Sequence, residues 1–146
     1  MYFISRFATV PFTLDNLDGQ IHLTNAAIQK NFEISDECQG DIPEEKMWYS
    51  EELDAHLREQ GYGNAFEKKI FPAMRDILIQ TCLAGQESAE PRKRSFELYG
   101  ADFMLDEDLN PHLIEVNQGP TLSIATAVTK DLVESLLGSV QLTMTS

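Results

Sequence analysis

The stretch ELYGADFMLDEDLNPHLIEVNQGPTL, residues 97 to 122, limits what this chain can fold into more than any other. Two runs of apolar, aromatic and β-branched residues flank a cluster that favours turns. The segment therefore predicts a β-hairpin with Glu107 to Asn110 as its turn. Antiparallel pairing then sets Asp102 roughly opposite Glu115 and Gly100 opposite Asn117. Alternate residues of a strand share a face, so Asp102, Glu115 and Asn117 are expected together on one side. Two carboxylates directly across a strand pair repel each other. A hard divalent cation would relieve that repulsion, and Mg²⁺ commonly takes one or two carboxylates together with the phosphates of a nucleotide. A solvent-facing polar edge would give the same pattern without a metal. The acids of the DEDLN cluster itself read as turn residues.

A length of 146 residues fits one domain, and 42% apolar content suffices for a packed core. With 11 basic residues against 24 acidic ones, the net charge of −13 argues against an autonomous nucleic-acid binder, which needs a Lys/Arg-rich face. Between Glu33 and Gln60 ten acidic side chains are accompanied only by Lys46 and Arg58, which predicts a solvated face. No apolar run approaches the ~18 residues of a membrane span and the start lacks signal-peptide features. A soluble, intracellular protein without a membrane partner is expected. Cys38 and Cys82 show no metal-ligand or redox spacing and are expected as reduced thiols.

Element by element, Tyr2 to Ala8 reads as a strand, followed by a turn ending near Gly19 and a short strand at Ile21 to Leu23. After an acidic loop, SEELDAHLREQGYG reads as a helix capped by Ser50 and ended by Gly61. AFEKKIFPAMRDILIQTCLAG sets Phe66, Ile70, Met74, Ile77 and Thr81 at helical spacing, with Pro72 as a kink or restart. A basic turn, EPRKRS, leads into the hairpin, and TAVTKDLVESLLGSV closes the chain as an amphipathic helix. This order predicts an α+β fold of mostly antiparallel sheet with packed helices. His22, beside apolar Leu23, is expected to be a structural, hydrogen-bonded residue.

FELYGADFMLDEDLNPHLIEVNQGPTL resembles the C-terminal signature of the tubulin-tyrosine-ligase-like family, a branch of the ATP-grasp ligases. IHLTNAAIQK is similar to a second family motif. RFATVPFTLDNLDGQIHLTNAAIQK, KMW, SFELYGADF and ATAVT are most similar to the glycine-ligating members, the tubulin glycylases. The resemblance covers nearly the whole chain, with several motifs in the family's order.

The resemblance implies Mg²⁺ at Asp102, Glu115 and Asn117. It also implies contact of Thr24 and Asn25 with ATP, and pairing of Arg6 with phosphate or with the carboxylate of the incoming amino acid. The implied reaction activates a glutamate side chain of a tubulin tail as an acyl phosphate, which the amine of glycine attacks; no protein nucleophile is needed. Tubulin, microtubules and glycine are the implied partners. The cytoplasm and cytoskeleton, with a ciliary or flagellar axoneme, are the implied location. In EVNQGPTL, Gln118 and Gly119 depart from the family's usual small or polar residue followed by Ser. The family's lysine-bearing strands, phosphate-covering loop and adenine hinge precede the point where this sequence starts. Residues 1 to 146 are therefore expected to be a single partial domain, the C-terminal portion of the catalytic domain, with the basic grooves for an acidic tail lying elsewhere. A ligase for glutamate or tyrosine, and a non-catalytic fragment that binds tubulin or nucleotide, remain the alternatives.

Overall fold

The computed structural model describes residues 3–88, 90 and 97–119. It has mixed helix and antiparallel sheet, the α+β class expected from the sequence. The expected basic turn, all but Glu90, and the expected C-terminal helix lie outside the described residues. The chain divides into two compact units, one containing the described residues up to Leu53 and the other running from Asp54 through the hairpin.

In the first unit, β1 (Ile4–Arg6) pairs antiparallel with β2 (Met47–Tyr49), with Ile4 opposite Tyr49 and Arg6 opposite Met47. Phe7 packs edge-on against Trp48 at 4.7 Å between ring centroids. Pairing stops where Lys46 takes a positive φ of 56°, so β1 is shorter than expected. The strand expected at Ile21 to Leu23 is instead the last part of a helical turn, α1 (Gly19–His22). Asp18 decides the difference by accepting the backbone N–H of Gln20 at 2.9 Å, an N-cap that satisfies one of the helix's orphan donors. Asn25 caps the next short helix, α2 (Ala26–Gln29), in the same way through the N–H of Ala27. His22 has the expected structural role, its Nε2 lying 2.7 Å from the carbonyl of Asn16.

The interior of this unit is as much polar as apolar. Ile21 and Met47 are buried, but so are Thr9 and Gln29, the latter only 1% exposed. The Gln29 carboxamide makes all four bonds open to it: Oε1 accepts the N–H and the hydroxyl of Thr9, and Nε2 donates to the carbonyls of Gln20 and Leu23. The ammonium of Lys46 donates to the carbonyls of Gln29 and Phe32, each at 2.6 Å, so the end of α2 is closed by a cation.

Helix α3 (Ser50–Glu59) starts at Ser50, its expected cap, and so one residue earlier than expected. Ser50 is already helical and turns its hydroxyl to Glu51, while the carboxylate of Glu52 reaches back to the N–H of Tyr49, the reciprocal half of a capping box. Its end is as expected. Gly61 at φ 87° permits bonds from Tyr62 to Leu57 and from Gly61 to Arg58, a Schellman closure. The acidic face is solvated: of the ten acids between Glu33 and Gln60, all but Asp54 are exposed.

In the second unit, a π-helical turn at Phe66–Ile70 passes directly into α4 (Phe71–Gly85), with Pro72 in its first turn. Pro72 cannot donate to the preceding turn, and the wider ring absorbs the missing bond, so the proline marks a restart. Ile70, at 1% exposure, anchors this junction. The apolar stripe fades at exposed Thr81, whose hydroxyl donates back to the carbonyl of Ile77. Helix α4 lies against one strand of the hairpin formed by β3 (Tyr99–Leu105) and β4 (Pro111–Gln118).

The hairpin turn is built around Asp106. Its carboxylate accepts the N–H groups of Asp108 and Asn110, the Asn110 amide and His112 Nε2, at 2.8 to 3.0 Å. The bond from His112, then those from Asn110, hold its pKa well below the usual carboxylate range. The folded state therefore binds this proton more weakly than the unfolded chain. The stabilisation is complete above the ordinary carboxylate pKa of about 3.9 and is lost as pH falls through the lower folded value. Acid titration followed by amide exchange at Asp108 and Asn110 should show the turn opening in that low range, and Asp106→Asn should remove this step from the profile.

Candidate metal centre

The strand pair brings the three hairpin residues together as the sequence predicts: Asp102 is opposite Glu115 and Gly100 opposite Asn117. The route to that register is not the one expected. From the turn, β3 and β4 pair Leu105 with Pro111, Met104 with His112 and Phe103 with Leu113. An unbroken ladder would continue with Asp102 opposite Ile114. Instead the register shifts between Asp102 and Phe103, leaving Ile114 as the extra residue of a β-bulge. Without that shift, Glu115 and Asn117 would share the face of Phe103, Leu105, Leu113 and buried Pro111. The bulge moves both onto the face of Asp102.

On that face, Asn117 Nδ2 lies 3.0 Å from Glu115 Oε1 and 3.4 Å from Asp102 Oδ2, and all three residues are exposed. The amide donor thus stands between two like charges. Turning the Asn117 amide over would put its oxygen in the same place and aim three oxygens at one point, a change that the electron-rich neighbours would favour only with a cation present. A hard donor set of this kind fits Mg²⁺. Among the described residues no three His, Cys, Asp or Glu side chains gather to hold a metal. A cation on the hairpin would therefore complete its shell with water or with phosphate oxygens, as Mg²⁺ usually does. At the open end of the ribbon, Glu97 accepts from both Tyr99 and Gln118, which are paired across the strands. The bond to Glu97, aided by burial and charge, raises the pKa of the Tyr99 hydroxyl.

The remaining predicted residues belong to the first unit. Arg6 ends β1 with an exposed side chain. Asn25 is exposed, and its Oδ1 is engaged in capping α2. Thr24 borders a cleft of about 440 Å³ whose wall includes Lys30, Lys46 and Glu45. Sequence reasoning did not single out Thr9, Gln29 or Lys46, although the last two lie within the IQK and KMW motifs. A lone glutamine beside a lysine carries no periodic sign of burial.

An α+β polypeptide with two carboxylates and a carboxamide focused by a bulged hairpin is a candidate for metal-assisted phosphoryl chemistry. The chain belongs to the tubulin-tyrosine ligase family, whose family model matches residues 2–145. It is 46% identical over 127 residues to tubulin monoglycylase TTLL3 of Homo sapiens, an overlap of 87% of this chain and 16% of that protein. Human protein monoglycylase TTLL8 is 42% identical over 127 residues, covering 87% of this chain and 15% of the relative. Tubulin glycylase 3D of Tetrahymena thermophila is 37% identical over 138 residues, covering 92% and 13% respectively. The chain thus spans 13–16% of the length of these relatives.

Opposed carboxylates work against the hairpin when no cation is present. Glu115→Gln should stabilise the metal-free ribbon by about 0.2–1 kcal/mol. Mn²⁺ should broaden the resonances of Asp102 and Asn117 in the wild-type protein, and this variant should abolish that broadening. Equal broadening in the variant would remove Glu115 from the ligand set.

Proposed function

We propose that this chain carries part of the catalytic apparatus of an ATP-dependent ligase that joins glycine to glutamate side chains of tubulin tails. Residues 1 to 146 are read as a single partial domain, the C-terminal portion of the catalytic domain. The observation that carries the proposal is the focusing of Asp102, Glu115 and Asn117 on one face by the bulge at Ile114. The relatives' names point to glycine rather than glutamate or tyrosine as the added amino acid.

The γ-phosphoryl group of ATP passes to the acceptor carboxylate and ADP leaves. The glycine amine then attacks the resulting acyl phosphate, forming the isopeptide bond, expelling phosphate and losing a proton. Mg²⁺, when bound, would supply positive charge that offsets the charge of the phosphates during transfer. Asp102 and Glu115 would supply its anionic ligands and Asn117 a neutral oxygen. Thr24 and Asn25 would contact the nucleotide from the polar turn before α2. Arg6, whose guanidinium offers a planar fork of donors, would bind phosphate or the glycine carboxylate. Acting on tubulin places the protein in the cytoplasm and cytoskeleton, with axonemes as a site of use.

In the intact protein, Glu115→Gln should lower ATP-dependent incorporation of labelled glycine into tubulin by about a hundredfold or more, because charge stabilisation by the ion is lost. Turnover retained at saturating Mg²⁺ would sink the metal assignment. A wild-type preference for glutamate or tyrosine over glycine would sink the choice of amino acid.

A further inference from the structure

Gln29 is buried next to the Thr24–Asn25 turn, and its backbone N–H donates to the Asn25 carbonyl. Its Nε2 donates to the Leu23 carbonyl at 2.6 Å. That carbonyl and the N–H of Thr24 belong to one planar peptide unit, so holding the oxygen fixes where the Thr24 N–H points and where its Cα sits. The second Nε2 proton goes to the Gln20 carbonyl, 2.9 Å away. On the other side, Oε1 accepts both the N–H and the hydroxyl of Thr9, three residues beyond Arg6. Thr9 also accepts from Gln20 Nε2 at 3.0 Å, and its carbonyl receives the N–H of Ser35. The backbone of Gln29 is held as well, because the Lys46 ammonium donates to its main-chain carbonyl.

We propose that Gln29 is a positioning residue that sets the Leu23–Thr24 peptide and locks the segment following Arg6 against it. The proposal rests on the function proposed above, in which Thr24 contacts the nucleotide and Arg6 binds phosphate or the glycine carboxylate. An apolar core residue could fill the same space, but it could not orient a peptide plane. Gln29 is buried with every polar atom of its side chain paired, and two of those bonds go to Thr9, three residues past the end of β1. Such a fully satisfied network fixes one arrangement of the segments it joins, and losing the carboxamide strands four groups at once.

The test uses the intact protein, with a fluorescent ATP analogue and Mg²⁺ as the probe. Gln29→Met keeps the length of the side chain and removes its bonds, and Ile21→Ala, at a buried residue outside the network, serves as a control lowered in Tm to match. Gln29→Met should raise the Kd of the analogue roughly tenfold and speed hydrogen exchange at the Thr24 amide, whereas Ile21→Ala should leave both unchanged at a temperature well below Tm. Equal effects in the two variants, or none in Gln29→Met, would overturn the positioning role. If Gln29→Met does not fold, Gln29→Glu, which keeps the shape and the acceptor oxygen, should show the same two changes, and wild-type values there would overturn it as well. Thr24→Val separates the two proposals. An unchanged Kd in that variant would refute the nucleotide role of Thr24, while faster Thr24 exchange in Gln29→Met alone would still support the coupling.

Discussion

A two-stranded ribbon has only two faces, and which side chains share one is decided by register. In this protein that constraint converges on Ile114, the extra residue of β4. The turn imposes one register and the half of the ribbon that carries Asp102 and Glu115 follows another, so a single unpaired residue reconciles them. It keeps Phe103, Leu105, Leu113 and Pro111 on one side and gathers Asp102, Glu115 and Asn117 on the other. The cost is local, since a bulge leaves one residue out of the ladder, and Ile114 is exposed. A regular ladder would have directed the second carboxylate into the apolar face, where an unpaired charge is far more expensive.

The two units solve different physical problems. In the hairpin, polar side chains lie in water, and their closeness creates a charge problem that the Asn117 amide eases and a cation would relieve. Around Gln29, polar groups are taken out of water and must all find partners. The short helices α1 and α2 are too brief to be stable through their own backbone bonds. Their caps at Asp18 and Asn25, and the bonds of Gln29 to the chain around them, fix loops that apolar packing alone would leave adjustable. The HLTN and IQK motifs meet here, where the Gln29 carboxamide of the second donates to the Leu23 carbonyl of the first.

Much of this was legible in the sequence because it depends on neighbours in the chain. Pro72 as a kink or restart, Gly61 as a helix end, the acids of DEDLN as turn residues and the solvated acidic face all follow from local stereochemistry or charge. The pairing of Asp102 with Glu115 was legible too, though by compensation: a turn assumed one residue tighter than the real one gave the register that the bulge restores. The strand expected at Ile21 to Leu23 failed because alternation over three residues is a weak signal, and the carboxylate of Asp18 outweighs it by capping a helical turn. Ser50 was misread as a cap because Glu52 reaches one residue further back.

The sequence by itself determined the family, the class of fold and the residue types that could meet a metal, since these reside in motif order, composition and short-range pattern. Only the tertiary structure decided that Ile114 carries the bulge, that Gln29 is buried with four partners, and that Lys46 closes α2 from seventeen residues away. Each of these depends on groups distant in the chain arriving at the same place. A glutamine, an isoleucine and a lysine look alike in sequence wherever they occur, and their roles here come from what the fold puts beside them.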